Sequence, residues 1–391
     1  MIGISTLYLG ATEPAHRLRY TATAHRRPVV VWNTTRRCNL DCLHCYAAAS
    51  ATADPSELSA DEAQRLIDDL ADFGVPVLLL SGGEPLLRPD LHDLAAYATS
   101  RGLRVVLSTN GTLIDAAAAA RLMDSGVAYV GVSVDGLRDT HDRFRGQVGA
   151  FDAAMAGLRA CIAAGLKVGL RFTITRRNAG DLPGLFDLVE RERIPRLCVY
   201  HLVYSGRGSA LMAEDLDYTA ARSALDGIID RTARLHARGV ATEVLTVDNH
   251  ADGPYLWLRM LREGNPAAAR ALELLGINGG NSSGAGIACV GWNGTVFPDQ
   301  FWRTQPLGSV RARPFSAIWT DPRIPLLAHL RERARHLTGR CAHCRFLNLC
   351  GGNFRARAEA ATGDIWASDP ACYLTDEEIA GSPLPLAAAR A

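Results

Sequence analysis

No run of about 18 apolar residues occurs in the chain, so no helix of it is expected to span a bilayer. No charge of either sign is in excess, with Lys plus Arg at 42 and Asp plus Glu at 41. That balance leaves no global field to attract nucleic acid or an anionic membrane. The first residues lack a basic start followed by a long apolar block, and so lack the marks of a secretory signal. A cytoplasmic protein is expected. Against these absences stand ten cysteines, and that compartment keeps thiols reduced, which argues against disulfides. Seven fall into two tight groups: Cys38, Cys42 and Cys45, then Cys341, Cys344, Cys350 and Cys372. Cys161 and Cys198 lie in helix-like and strand-like patterns and read as small buried hydrophobes. Cys289 stands alone with no partner set.

The first group lies in TTRRCNLDCLHCY, Thr34 to Tyr46, directly after a strand-like apolar run. Its spacing is C-x3-C-x2-C. Three thiolates from one loop can hold three irons of a 4Fe-4S cluster and leave the fourth iron open to a small molecule. Clusters normally take four cysteines, and structural zinc takes four closed ligands. His44 is the nearest fourth ligand, but it sits between two of the cysteines, where ring and thiolates would struggle to converge on one ion. Spacing alone leaves an open cluster and an incomplete structural site as alternatives. In the second group four thiolates suit either structural zinc or a closed 4Fe-4S cluster. A fully ligated cluster would transfer electrons or clamp the fold.

Between the groups, short β-branched or Leu-rich runs alternate with longer helical patterns, the signature of β/α units around a parallel sheet. Strands are expected at 28–33, 75–80, 104–108, 129–133, 167–173 and 197–203. Helices are expected near 59–73, 91–101, 115–125, 150–164, 181–192 and 216–238. Ser59 and Glu62 form a capping-box signature at the first of these. Six units suit an α/β fold of the partial (β/α)6 barrel kind, with an open doubly wound sheet as the alternative. The chain then divides into a lead-in of little structure (1–28), the barrel (29–240), a connecting, substrate-lining segment (241–285) and a smaller C-terminal domain (286–391). Runs at 287–290 and 295–297, joined through an Asn-Gly turn, read as a β-hairpin.

Active residues of parallel barrels collect at the C-terminal ends of the strands. Here those ends carry the cysteine loop, then SGGEP (Ser81–Pro85), STNGT (Ser108–Thr112) and SVDG (Ser133–Gly136). Arg171 lies within the fifth strand, and HLVYSGRG follows the sixth. Any one of these reads as a turn. Six in succession read as the lining of one cavity.

The cysteine loop with GGEP, STNGT and SVDG resembles the radical SAM superfamily over roughly residues 28 to 375. The C-terminal cysteines resemble its auxiliary-cluster domain of the SPASM or twitch type. YHLVYSGRG, EVLTVDNHADGPYL, NGGNSSGAGIACVGWNGTV and the stretch from Cys350 to Glu378 are similar to the branch that trims side chains from siroheme-derived tetrapyrroles. The resemblance implies two 4Fe-4S clusters, one open and one auxiliary, and S-adenosylmethionine (SAM). Cys38, Cys42 and Cys45 would hold the open cluster; Cys341, Cys344, Cys350 and Cys372 would hold the other. Gly82, Gly83 and Glu84 would meet the methionine amino group. Ser108, Asn110, Ser133 and Asp135 would approach the ribose and methionine, Arg171 would pair with the methionine carboxylate, and His44 would stack beside adenine. A 5′-deoxyadenosyl radical would then remove two acetates from 12,18-didecarboxysiroheme, giving iron-coproporphyrin III. Propionate removal on the heme d1 route and maturation of a ribosomal peptide are the alternatives. A low-potential donor such as ferredoxin or flavodoxin would supply electrons. The expected substrate-facing residues are His201, Tyr204, Arg207, Asp248, His250 and Asp299, with Arg303, Lys167 and Arg259 as further cations.

Overall fold

The computed structural model describes residues 1–11, 20, 27–381 and 384. A short strand β1 (Ile2–Gly3) precedes the six expected strands: β2 (Val29–Thr35), β3 (Val77–Gly82), β4 (Arg104–Thr109), β5 (Tyr129–Ser133), β6 (Val168–Ile174) and β7 (Arg196–His201). Each pairs in parallel with the one before it in sequence, from β2 to β7. Two further strands extend the parallel run at its edges. β8 (Glu243–Val247) joins β7, and β9 (Ile287–Val290) joins β2. β9 turns back through the expected hairpin into β10 (Thr295–Phe297), which pairs with β11 (Gly308–Ser309). The order β1-β8-β7-β6-β5-β4-β3-β2-β9-β10-β11 never closes on itself, so the sheet is a partial barrel.

The two faces of the sheet differ by the alternation that a strand imposes. Val30, Trp32, Leu78, Leu80, Val130, Val132, Leu170 and Phe172 point to the helices and are buried in one cluster with Leu66, Ile67, Leu94, Leu158 and Leu185. The residues between them, including Val31, Leu79, Ser81, Ser108, Ser133, Arg171, Thr173 and Tyr200, face an internal cavity. The helix Ala60–Asp72 starts at Ser59 in the reciprocal capping box its sequence encodes.

Two expectations need correction, and one element is new. The start of the lead-in is structured: Ile2 pairs with Thr246 of β8, and the helix Ile4–Leu9 buries Ile4 and Leu7. An apolar segment here covers a sheet edge that would otherwise be left open. The rest of that lead-in, 12–19 and 21–26, lies outside the described residues. A helix at Arg138–Arg145 went unforeseen, because RDTHDRFR carries no apolar period. In the 241–285 segment, expected to line the substrate space, Asp248 alone reaches the cavity. The remainder supplies β8, the helices Asp252–Arg262 and Ala268–Asn278, and a wall for the second cysteine group. At Gly280 any Cβ would lie 2.2 Å from the Cys350 backbone. No helix among the described residues is long and apolar enough to cross a membrane.

Candidate active site

The cysteine loop leaves β2 and is fastened to the GGE turn backbone to backbone. The Gly83 N–H donates to Thr35 O at 2.8 Å and the Glu84 N–H to Arg37 O at 2.8 Å. A Cβ on Gly83 would sit 2.1 Å from Arg37 O, which is why the position requires glycine. Cys38, Cys42 and Cys45 then face one cavity with Gly82, Gly83, Ser108, Asn110, Ser133, Arg171 and His44. The cavity encloses about 1150 Å³ of empty space including its mouth.

Burial pushes the Cys38 thiol up to about 12. It also raises Cys42, although Arg145 opposes it. Such thiols are neutral until a metal displaces their protons. The Cys38 sulfur accepts from the Leu40 N–H at 3.5 Å and the Cys45 sulfur from the Ala49 N–H at 3.4 Å. Arg145 donates to the Cys42 sulfur at 3.4 Å and pairs with Asp135. Hydrogen bonds to sulfur and a fixed cation are what a thiolate-bound cluster needs around it. Arg145 is the main residue the sequence did not single out, and its only signal is its place at the end of a charged helix that follows SVDG.

Arg171 has the character of a receptor for an anion. Its guanidinium lies across β5 because residue 131 is glycine; a Cβ there would stand 2.2 Å from its Nε. It donates to Ser108 Oγ at 2.6 Å. Among the described residues its buried Nε has no hydrogen-bond partner, and the groups that act most on its charge are Tyr200, Tyr129 and Cys198 rather than an acid. A buried cation without an acid is costly, and a carboxylate-bearing ligand supplies the missing partner bidentately.

Several expected contacts take other roles. Glu84 is fully buried and faces away from the cavity. Its carboxylate accepts from Thr109 Oγ1, Asn110 N and Leu86 N, which pins β3 to β4. Asp135 lies behind the lining, between Arg145, the Thr173 N–H at 2.8 Å and His44 Nε2 at 3.3 Å. Burial raises its pKa, but Arg145 and His44 outweigh burial and hold it below the usual carboxylate range. His44 stays in the lining, 4.8 Å from the Phe144 ring. Burial takes it down to about 4, leaving a neutral imidazole surface.

Of the substrate-facing set, His201 and Asp248 line the cavity, joined by Tyr200, Leu202 and Phe301. His201 is held through Nε2 by Asp252 at 3.0 Å, and Asp252 also accepts from the Tyr373 hydroxyl at 2.5 Å. Tyr204 turns away into a cluster with Phe144 and Leu211, its hydroxyl on Asp215 at 2.7 Å. His250 lies outside the cavity lining, its backbone N–H donating to Asn353 Oδ1 at 2.6 Å. Asp299 caps the next turn, accepting from the N–H groups of Phe301 and Trp302, and so shapes the loop that brings Phe301 to the cavity. Arg303 stacks 4.2 Å over Trp292. Arg259 is spent on Asp226, Asp230 and Glu263. Lys167 is exposed.

Arg207 does not face the cavity. It donates to the carbonyls of Cys42 and Ala49, both at 2.8 Å, and reaches Asp41 at 3.1 Å. It therefore clamps the cysteine loop from behind. Arg207→Ala removes two charge-assisted bonds worth about 1.5–3 kcal/mol each. The expected result is iron loss from the first site at least about tenfold faster under chelator, with substrate KM unchanged in the enzyme that keeps its iron. A raised KM with normal iron retention would return Arg207 to the substrate.

Residues 32–189 match the family model of the radical SAM superfamily. The chain is 55% identical to the Fe-coproporphyrin III synthase of Methanosarcina barkeri, over 97% of this chain and 99% of that protein. It is 46% identical to the pre-heme d1 synthase of Dinoroseobacter shibae, over 90% and 87% respectively. Among solved structures, Streptococcus suis SuiB bound to its precursor peptide SuiA aligns with a TM-score of 0.70 over 92% of this chain and 79% of that one. At 18% identity this likeness establishes the fold alone.

Proposed function

Because this chain belongs to the radical SAM superfamily, and within it to the tetrapyrrole-modifying members, we propose that it forms iron-coproporphyrin III by removing two acetate side chains from 12,18-didecarboxysiroheme. The observation that carries this reading is the 55% identity to an Fe-coproporphyrin III synthase over 97% of the chain. A 4Fe-4S cluster and SAM, when bound, supply a carbon radical able to take hydrogen from a substrate C–H bond. The residues present fit that pair of groups: three cavity-facing cysteines, Arg171 with its Nε unpaired among the described residues, and a Gly-Gly turn too close to the cysteine loop for any side chain.

In this reading Cys38, Cys42 and Cys45 hold the cluster, and Arg145 and the Leu40 and Ala49 N–H groups stabilise its thiolates. Arg171 takes the methionine carboxylate. Ser108, Ser133 and Asn110 line the remaining SAM surface, and neutral His44 offers its ring to adenine. Glu84 and Asp135 act one layer back, fixing the strand ends and Arg145. Gln300 and Phe301, on the loop that Asp299 caps, join the cavity wall beside Tyr46 and add apolar surface to it. Cys341, Cys344, Cys350 and Cys372 hold a second 4Fe-4S cluster. What supports this is that Cys350 lies within electrostatic range of the other three. Electrons come from a small low-potential carrier such as ferredoxin or flavodoxin.

The test is anaerobic reconstitution and incubation with 12,18-didecarboxysiroheme, SAM and dithionite. Iron near eight per chain is expected for two clusters, with a mass change equal to the loss of two acetate-derived units. Loss of propionate-derived units would move the assignment to the pre-heme d1 type of reaction. Formation of 5′-deoxyadenosine with no change in the tetrapyrrole would sink the substrate and keep the superfamily.

A further inference from the structure

We propose that Asp248 grips a carboxylate side chain of the bound tetrapyrrole as a neutral acid, donating its O–H; this rests on the substrate class proposed above. Asp248 directly follows β8 and lines the cavity beside Tyr200, His201 and Leu202. The residue is 7% exposed, and its Oδ2 is buried with no hydrogen-bond partner among the described residues. Buried polar atoms in folded proteins are nearly always satisfied, so an orphan on a cavity wall marks where a ligand completes the set.

The backbone is held in an unfavourable conformation to aim this group. Asp248 has φ +66°, in the left-handed region that side-chain-bearing residues rarely adopt. Arg357 keeps it there, donating to Asp248 O at 2.8 Å and to Leu202 O at 2.7 Å. Arg357 is itself fully buried in a two-point pair with Asp369, at 2.8 and 2.9 Å. One clamp from the C-terminal segment therefore sets two neighbouring parts of the cavity wall.

The charges around Asp248 favour a proton on it. Burial raises its pKa most and Asp299 raises it further. The amino group of Met1, Arg357 and His201 act the other way, and the balance pushes it up to about 7. The charge of Arg357 is largely answered by Asp369. His250, two residues on, is kept uncharged by burial. An ionised Asp248 would repel a substrate carboxylate, whereas the acid form can donate to it. Two carboxyl groups then share one proton, an arrangement that close carboxylate pairs adopt. Binding therefore takes up one proton wherever Asp248 begins ionised.

The reconstituted holoenzyme is titrated with 12,18-didecarboxysiroheme, followed by the tetrapyrrole absorbance, from about pH 6 to about pH 8.5. The acid form binds, so affinity is full below the folded pKa and is lost as pH rises through it. Kd is expected to be flat below about pH 6.5 and to rise up to about tenfold per unit above about pH 7.5. Asp248→Asn keeps a donor N–H, so it should bind as tightly as the wild type does at low pH, with the pH dependence gone. Asp248→Ala should bind at least about tenfold more weakly throughout. A flat wild-type profile overturns the proposal, as does an Asn variant as weak as the Ala variant. His201 is intact in Asp248→Asn, so a pH dependence surviving there belongs to His201 and also overturns it. Iron content and melting temperature screen out variants that misfold. If folded, iron-loaded wild type binds no tetrapyrrole at any pH, the substrate class fails and this proposal falls with it.

Discussion

Arg171→Met is expected to weaken SAM binding by about 30- to 1,000-fold while leaving the protein as stable as before or more so. The two effects have opposite signs for one reason. In the free protein the guanidinium is buried across β5 and bonded to Ser108 Oγ at 2.6 Å, and among the described residues its Nε is unsatisfied and no carboxylate pairs with it. That is a desolvated cation whose compensation comes from a ligand, and replacing such a charge by an apolar side chain of similar length is often neutral or stabilising. If Arg171 takes the methionine carboxylate as proposed, the same guanidinium forms charge-assisted bonds that together contribute about 2–4 kcal/mol, which sets the range of the affinity loss. The measurements are equilibrium binding of SAM to the reconstituted enzyme and the melting temperature of the same sample. A variant that melts lower and binds SAM normally would show that Arg171 serves the sheet rather than the cofactor.

Cys344→Ala should remove about four of about eight irons and leave cleavage of SAM to 5′-deoxyadenosine largely intact. Porphyrin formed per 5′-deoxyadenosine should fall at least about tenfold, a barrier penalty near 1.4 kcal/mol. The split follows from what fastens each part. The first cysteine loop is held by the GGE turn, Arg145 and Arg207, none of which belongs to the C-terminal segment. The second group is tied to the part of the cavity wall proposed to meet substrate. Cys372 lies three residues after Asp369, which anchors Arg357 and through it Leu202 and Asp248. Tyr373 reaches His201 through Asp252. Loosening this segment therefore disturbs the substrate wall before the SAM wall. Full coupling in Cys344→Ala would mean that the second site has no part in the reaction. Complete loss of SAM cleavage with the first four irons retained would mean that the two sites are not separable.

The strands of the barrel were legible because a parallel sheet covered by helices needs near-continuous apolar runs, and those runs are local in sequence. The polar ends after them were legible for the same reason, which is how one cavity could be foreseen from SGGEP, STNGT and SVDG. Direction was not legible. Glu84 follows two glycines, the first with φ +140°, and that turn carries its carboxylate onto Thr109 and Asn110 instead of into the cavity. Arg207 looked suited to substrate because it is a cation in a Gly-rich loop, yet the carbonyls of Cys42 and Ala49 lie close enough to take it. Arg145 went unmarked because a short charged helix has no apolar period to betray it, and its value comes from the sulfur and carboxylate it meets.

By itself the sequence determined the class of protein: three cysteines at a fixed spacing after a strand, a glycine turn behind them, and a second set of four. These are properties of short segments, where spacing alone limits what the residues can hold. Tertiary structure decided which side chains face the cavity and which hold the wall. Asp248, His250 and Asp252 lie within five residues, yet one lines the cavity, one stands behind it, and one joins His201 to Tyr373. Such a division depends on contacts more than 100 residues away in sequence, with Asn353, Arg357 and Tyr373, and no local pattern records it.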